Sequence, residues 1–117
     1  MTKNFRPVPA LLVSTLLAAL PLAAAAQSGD AAAGREKSWA CSGCHGIPGY
    51  KTAFPEVYRV PKLGGQHAAY IVKALQEYRA GNRSHPSMRA IAAGLSDQDM
   101  ADLAAYYASE ASRTASK

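Results

Sequence analysis

The most regular hydrophobic pattern begins at Gln66. Tyr70, Ile71, Ala74, Leu75 and Tyr78 fall at i, i+1, i+4, i+5 and i+8, while Lys73, Gln76, Glu77 and Arg79 take the other face. This spacing predicts an amphipathic helix closed by Gly81 at its C′ position. A second helix is announced by Ser96, an N-cap with Asp99 at N3, and by Leu95, placed to staple against Met100. It is expected from about Asp97 to Ala111, burying Met100, Leu103, Tyr106 and Tyr107, with Ser112 to Lys117 fraying. Towards the other end, Asp30 reads as an N-cap ahead of Ala31, Ala32 and Ala33, so a helix from about Ala31 to Ser42 follows. Gly34 inside it costs on the order of 1 kcal/mol against alanine, which a close helix crossing would justify. A short helical turn through Ile91 and Ala92 ends at Gly94. No segment shows strand periodicity, and the fold class is all-α.

The segment from Gly46 to Gly65 breaks this order with Pro48, Pro55, Pro61 and the pair Gly64-Gly65, yet it carries Ile47, Tyr50, Phe54, Val57, Tyr58, Val60 and Leu63. Loops of about 20 residues are uncommon in compact domains and usually functional. So much apolar surface favours a wall around a bound group over a mobile loop with an exposed aromatic patch. A second loop, Asn82 to Ser87, leads into Met88.

The first residues have the form of a secretory signal peptide. Lys3 and Arg6 are basic, Ala10 to Leu20 is apolar, and Ala24-Ala25-Ala26 offers small residues for cleavage. Residues 1–26 are therefore expected to be removed, leaving a single domain over residues 27–117. An uncleaved anchor over Val8 to Ala26 is the alternative, though Pro9, Ser14, Thr15 and Pro21 interrupt it. Cleavage takes Lys3 and Arg6 and no acid, so the formal charge falls from +5 to +3. With no basic run and no basic stripe interleaved with aromatics, nucleic acid is not an expected partner. The mature chain has few large aliphatics from which to build a core, and a bound apolar group would supply the missing volume.

Candidate chemistry is concentrated in Ala40-Cys41-Ser42-Gly43-Cys44-His45-Gly46, which holds both cysteines of the chain. Cys-Xaa-Xaa-Cys-His is the attachment signature of c-type haem. On a helix, Cys41, Cys44 and His45 share one face, so two thiols can form thioethers to the haem vinyl groups while the imidazole reaches the iron. A thioredoxin-like dithiol would need a βαβ context, zinc would need four ligands, and a disulfide here would close too small a loop to stabilise much. Export suits the haem reading, since this cofactor is attached outside the cytoplasm. The Tyr70 hydroxyl is available to a haem propionate.

The sixth iron position separates an electron carrier from a sensor or enzyme. Candidates are Met1, Met88, Met100, His67 and His85. Met1 leaves with the signal peptide, Met100 is accounted for by helix packing, and His67 opens a helix as a polar residue. Met88, at the end of a proline-containing loop, is the favoured ligand, with His85 or an open position as alternatives. A soft neutral thioether favours ferrous iron and raises the reduction potential.

Over about Gly29 to Ser109 the chain resembles the class I c-type cytochromes, particularly one lobe of the two-haem periplasmic cytochromes and their small one-haem relatives. The resemblance rests on Cys41 to Gly46, on Pro61-Lys62-Leu63-Gly64-Gly65-Gln66, on Tyr70 and Leu75, on Gly81-Asn82-Arg83, on Met88, and on Leu95 to Asp99 running into Leu103 to Tyr107. It implies helices packed around one haem, with His45 the proximal and Met88 the distal ligand. It further implies that the Pro61 carbonyl accepts a hydrogen bond from the other ring nitrogen of His45, that Leu63 packs on the haem, and that Gly34 crosses Tyr106. Gly49 to Val60 is longer and more apolar than this family leads one to expect, and a second lobe is absent.

The expected protein is an exported, periplasmic carrier of one electron at a time between redox partner proteins, with one covalent haem c and no substrate. Membrane contact would come only through a partner complex or an uncleaved signal segment. Alternatives are a cytochrome subunit of a larger dehydrogenase or oxidase, a haem sensor or peroxidase with a labile sixth ligand, and a haem-free dithiol protein.

Overall fold

The computed structural model describes residues 28–53 and 56–115. Residues 1–27, which include the expected signal segment, Phe54, Pro55 and the last two residues lie outside them. Five helices and one short ribbon follow in order: α1 Ala31–Lys37, α2 Trp39–His45, β1 Lys51–Thr52, β2 Tyr58–Arg59, α3 Ala68–Ala80, α4 Pro86–Ala93 and α5 Asp97–Ala115. The Asp30 carboxylate caps α1 by accepting from the N–H groups of Ala32 at 2.8 Å and Ala33 at 3.4 Å. The first helix does not run unbroken to Ser42. It bends at Ser38, whose hydroxyl donates to the Arg35 carbonyl at 2.7 Å, a return bond of the kind that kinks helices. It then continues as α2 through the whole cysteine and histidine run to Gly46.

Two further boundaries differ from expectation. Met88 does not end a loop but sits in the first turn of α4, because Pro86 takes the N1 position that suits its missing N–H. The His85 ring is the cap of that helix, its Nδ1 accepting from the Met88 N–H at 3.4 Å. At the other end α5 passes Ala111 and reaches Ala115, since no glycine or proline interrupts it. Gly81 closes α3 in the left-handed region, with φ 83°.

The segment between α2 and α3 is more ordered than a loop. β1 and β2 pair antiparallel, Lys51 opposite Arg59 and Thr52 opposite Tyr58, and the Val60 N–H extends the ribbon by donating to the Tyr50 carbonyl at 3.0 Å. Two-residue strands bounded by glycine and proline are too short to leave a period-two signature in the sequence.

Helix α5 is the element against which α1 and α3 both pack, and α4 rests on α3. Ile71, Leu75, Met100, Leu103, Ala104 and Tyr107 form the buried cluster, with Met88, Leu63 and Cys41 packed against it. At the crossing of α1 and α5, Gly34 is buried so tightly that a β-carbon there would overlap the Asp102 carbonyl and stand 2.8 Å from the Tyr106 β-carbon. Beside it Asp102, 3% exposed, accepts from the Asp30 N–H at 2.8 Å, Lys37 Nζ at 2.6 Å and Gln98 Nε2 at 2.8 Å. Lys37 also reaches Asp99 at 2.7 Å. The Lys37 ammonium, with help from the Asp30 N–H and Gln98, holds the Asp102 carboxyl down at about 2. Asp99 is likewise well below the usual carboxylate range, through Lys37 first and then Ser96, with which it forms the expected capping box.

Candidate functional site

Helix α2, the ribbon, α3 and α4 enclose a mostly apolar cavity of about 500 Å³, within the range of cofactor pockets. Cys41, Cys44 and His45 face it from α2, Pro61 and Leu63 from the loop, Tyr70 from α3 and Met88 from α4, so the residues expected around the haem line one space. Of the five sixth-ligand candidates, Met88 and His85 line the cavity. Met100 is fully buried in the core, His67 is the exposed residue ahead of α3, and Met1 lies outside the described residues.

His45 Nδ1 stands 2.7 Å from the Pro61 carbonyl oxygen. A carbonyl only accepts, so Nδ1 carries the proton, and the neutral ring keeps its lone pair on Nε2, the form in which imidazole binds a metal. His85 is engaged differently. Its Nδ1 caps α4, and its ring meets Tyr58 edge-on at 5.5 Å between centroids.

Both thiols are free, Cys44 exposed and Cys41 partly buried. Burial pushes the Cys41 thiol up, which the neighbouring Tyr107 hydroxyl only partly offsets. Burial and the Cys41 neighbour in turn push the Tyr107 hydroxyl up. A redox-active dithiol needs the opposite shift, a thiol lowered by nearby positive charge. Among the described residues no group of three or more His, Cys, Asp or Glu gathers as a metal cage.

The long loop divides its apolar residues. Thr52, Tyr58, Val60, Pro61 and Leu63 line the cavity, whereas Ile47 and Val57 do not and are 50% and 73% exposed. The charged residues on the lining are Arg59, Lys62 and Arg83, with no carboxylate among them. Arg83 is one of the residues that sequence reasoning did not single out for a site role. Its sequence signals are its place two residues after the helix-ending glycine and its part in the Gly81-Asn82-Arg83 motif of the resemblance.

The donor set fits a covalently held haem: two thiols and an imidazole on one helix face, a thioether from another helix, an apolar volume, and cations but no carboxylate on the lining. These features define a c-type haem protein of the class I architecture. Residues 31–109 match the family described as Cytochrome c. Cytochrome c4 of Pseudomonas aeruginosa is 42% identical over 86% of this chain and 48% of its own length. Cytochrome c-554(548) of Halomonas halodenitrificans is 44% identical over 71% of this chain and 99% of its own. The crystal structure of reduced recombinant cytochrome c4 from Pseudomonas stutzeri superposes with a TM-score of 0.51 at 35% identity, covering 69% of this chain and 50% of that one. The chain belongs to the cytochrome c family, with covalently attached haem c, and resembles one lobe of a two-haem cytochrome. It spans about half the length of the cytochrome c4 relatives it matches. No described helix is long and apolar enough to cross a membrane.

Proposed function

We propose that this chain is exported to the periplasm, loses residues 1–26, and carries one electron at a time on a single haem held by Cys41 and Cys44, with His45 and Met88 on the iron. The observation that carries this reading is the convergence of His45 and Met88, from two different helices, on one cavity, with His45 Nδ1 already occupied by the Pro61 carbonyl. The haem, when bound, supplies a one-electron Fe(III)/Fe(II) couple. Pro61 fixes the His45 tautomer and ring plane, and Leu63 and Leu75 close the cavity with apolar surface. Tyr70 presents a hydroxyl at the cavity. Among the cavity-lining candidates His85 has a task without the iron, as cap of the helix that bears Met88. Were His45 and Met88 both to hold the iron, no position on it would be left for a substrate, and the partners would be redox proteins met in weak, transient encounters.

A second reading, a cytochrome subunit of a larger dehydrogenase or oxidase, draws on Ile47 and Val57, apolar and exposed away from the cavity. Co-purification of the untagged native protein with a stoichiometric partner would select it. The test of the main reading is the visible spectrum, oxidised and reduced, of protein made with a cytochrome maturation system. A c-type spectrum with the weak far-red band of an iron to methionine-sulfur bond is expected. A haem spectrum without that band overturns the Met88 assignment, and a colourless protein overturns the haem.

A further inference from the structure

We propose that Arg83, held in place by Tyr70 and Tyr78, is the residue that receives a haem propionate and so helps set the reduction potential. The inference rests on the haem reading above. Its starting point is the left-handed Gly81, after which the N–H groups of Asn82 and Arg83 both donate to the Glu77 carbonyl, at 2.9 and 3.2 Å. That pair of hydrogen bonds to one oxygen fixes the backbone at Arg83 and turns its side chain back along α3. There the guanidinium lies 4.8 Å from the Tyr78 ring centre, with Nη1 at 3.5 Å from the Tyr70 hydroxyl. Arg83, Tyr70 and Tyr78 all line the haem cavity.

Burial together with pairing distinguishes Arg83 from the other cations. Lys37 pairs with Asp99 and Asp102, Lys73 with Glu77, and Arg79 with Asp97, whereas Arg83, like Arg59 and Lys62, forms no ion pair among the described residues; Glu77, the acid that feels its charge, is bound by Lys73. Of the cations on the cavity lining, Arg59 and Lys62 are exposed and Arg83 is half-buried. A partly buried cation against an apolar space costs free energy unless an anion compensates it. Haem brings two carboxylates, and a guanidinium offers the planar fork that pairs with one of them. Tyr70 and Tyr78 hold that fork in place before the anion arrives. A compensated propionate repels less of the electron density added on reduction, so Arg83 favours the ferrous state.

The test uses holoprotein variants Arg83→Gln, Arg83→Lys and, as a charge control on the same lining, Arg59→Gln. Each is read by redox titration and by the propionate-bending band in resonance Raman. Arg83→Gln is expected to keep its c-type spectrum while the potential falls and the propionate band moves. Arg83→Lys is expected to move the band but keep a potential close to that of the parent, and Arg59→Gln to leave the band in place. An unmoved propionate band in Arg83→Gln overturns the proposal, as does a shift in Arg59→Gln equal to that in Arg83→Gln. Should Arg83→Gln not mature, the band in Arg83→Lys decides alone, a shift supporting the anchor and an unchanged band refuting it. Failure of the haem reading would look different, because the parent protein itself would lack the c-type spectrum.

Discussion

Replacing Gly34 with alanine sets local propensity against packing, and the two predict opposite signs. Propensity alone favours Gly34→Ala by about 1 kcal/mol, since alanine is the best helix former. The crossing opposes it. The new β-carbon would overlap the Asp102 carbonyl and lie 2.8 Å from the Tyr106 β-carbon, where carbon pairs prefer about 3.5–4.0 Å. The obstacle is mainly backbone, so no side-chain rotation relieves it, and α1 must withdraw from α5 by about an ångström. Overpacking of this kind costs about 1–3 kcal/mol. Withdrawal also stretches the Asp30 and Lys37 bonds to Asp102, 2.8 and 2.6 Å long. Packing therefore wins, with a net loss of about 2 kcal/mol and a melting temperature lower by roughly 8–16 °C for a domain of this size. Guanidinium unfolding of the holoprotein, followed by far-UV circular dichroism, measures the change. Gly43→Ala is the control, because no atom lies within 4 Å of its β-carbon position and propensity should act alone. If Gly34→Ala proves as stable as the parent or more so, the tight crossing is wrong.

Three further perturbations separate the site from its scaffold. Met88→Ala should abolish the far-red band, open the iron to carbon monoxide and cyanide, and lower the potential, as redox titration and ligand-binding spectra will read. Met100→Ala removes a fully buried side chain that does not line the cavity; about 2–5 kcal/mol of stability should go while the spectrum stays unchanged. Acid stability should depend on Asp99 and Asp102. Their folded pKa values lie below the unfolded carboxylate value, so the native state binds fewer protons, and the stability they add above about pH 4 is lost as pH falls towards 2. Asp102→Asn should flatten the dependence of the urea midpoint on pH over that window, and an unchanged slope would contradict the buried pairing.

How far the chain could be read from its letters depended on the range of the forces involved. The helix stripe from Tyr70 to Tyr78, the Ser96 capping box and the attachment motif are local patterns, and each appears where it was expected. The break at Ser38 depends on one hydroxyl choosing a carbonyl in the preceding turn, and serine permits that choice without requiring it. Proline suits a loop as well as the first position of a helix, so the letters around Pro86 do not reveal that Met88 is already helical. Nothing in the local sequence around Asp102 marks it for burial. Its burial follows from Gly34, 68 positions earlier, which lets α1 close over it. Arg83 is legible only as part of the Gly81-Asn82-Arg83 motif, because its setting depends on two tyrosines of the preceding helix.

The two sides of the haem cavity are tied to α5 by different bonds, and this explains how the long loop can vary. Helix α2 continues from α1 through Ser38, and α1 is clamped to α5 at Gly34 and by the Lys37–Asp102 pair. Helix α4 rests on α3, and Arg79 near the end of α3 donates to the Leu95 carbonyl at 3.0 Å and to the Asp97 carboxylate at the start of α5. His45 and Met88 are thus each referred to one rigid helix by a short path, and neither path runs through residues 46–65. The loop contributes the Pro61 carbonyl, which orients the His45 ring, and a wall that includes Tyr58, Val60 and Leu63. Its exposed apolar residues off the cavity, Ile47, Tyr50 and Val57, can change without moving His45 or Met88. A segment so placed is open to specialisation for a partner while the haem site stays fixed.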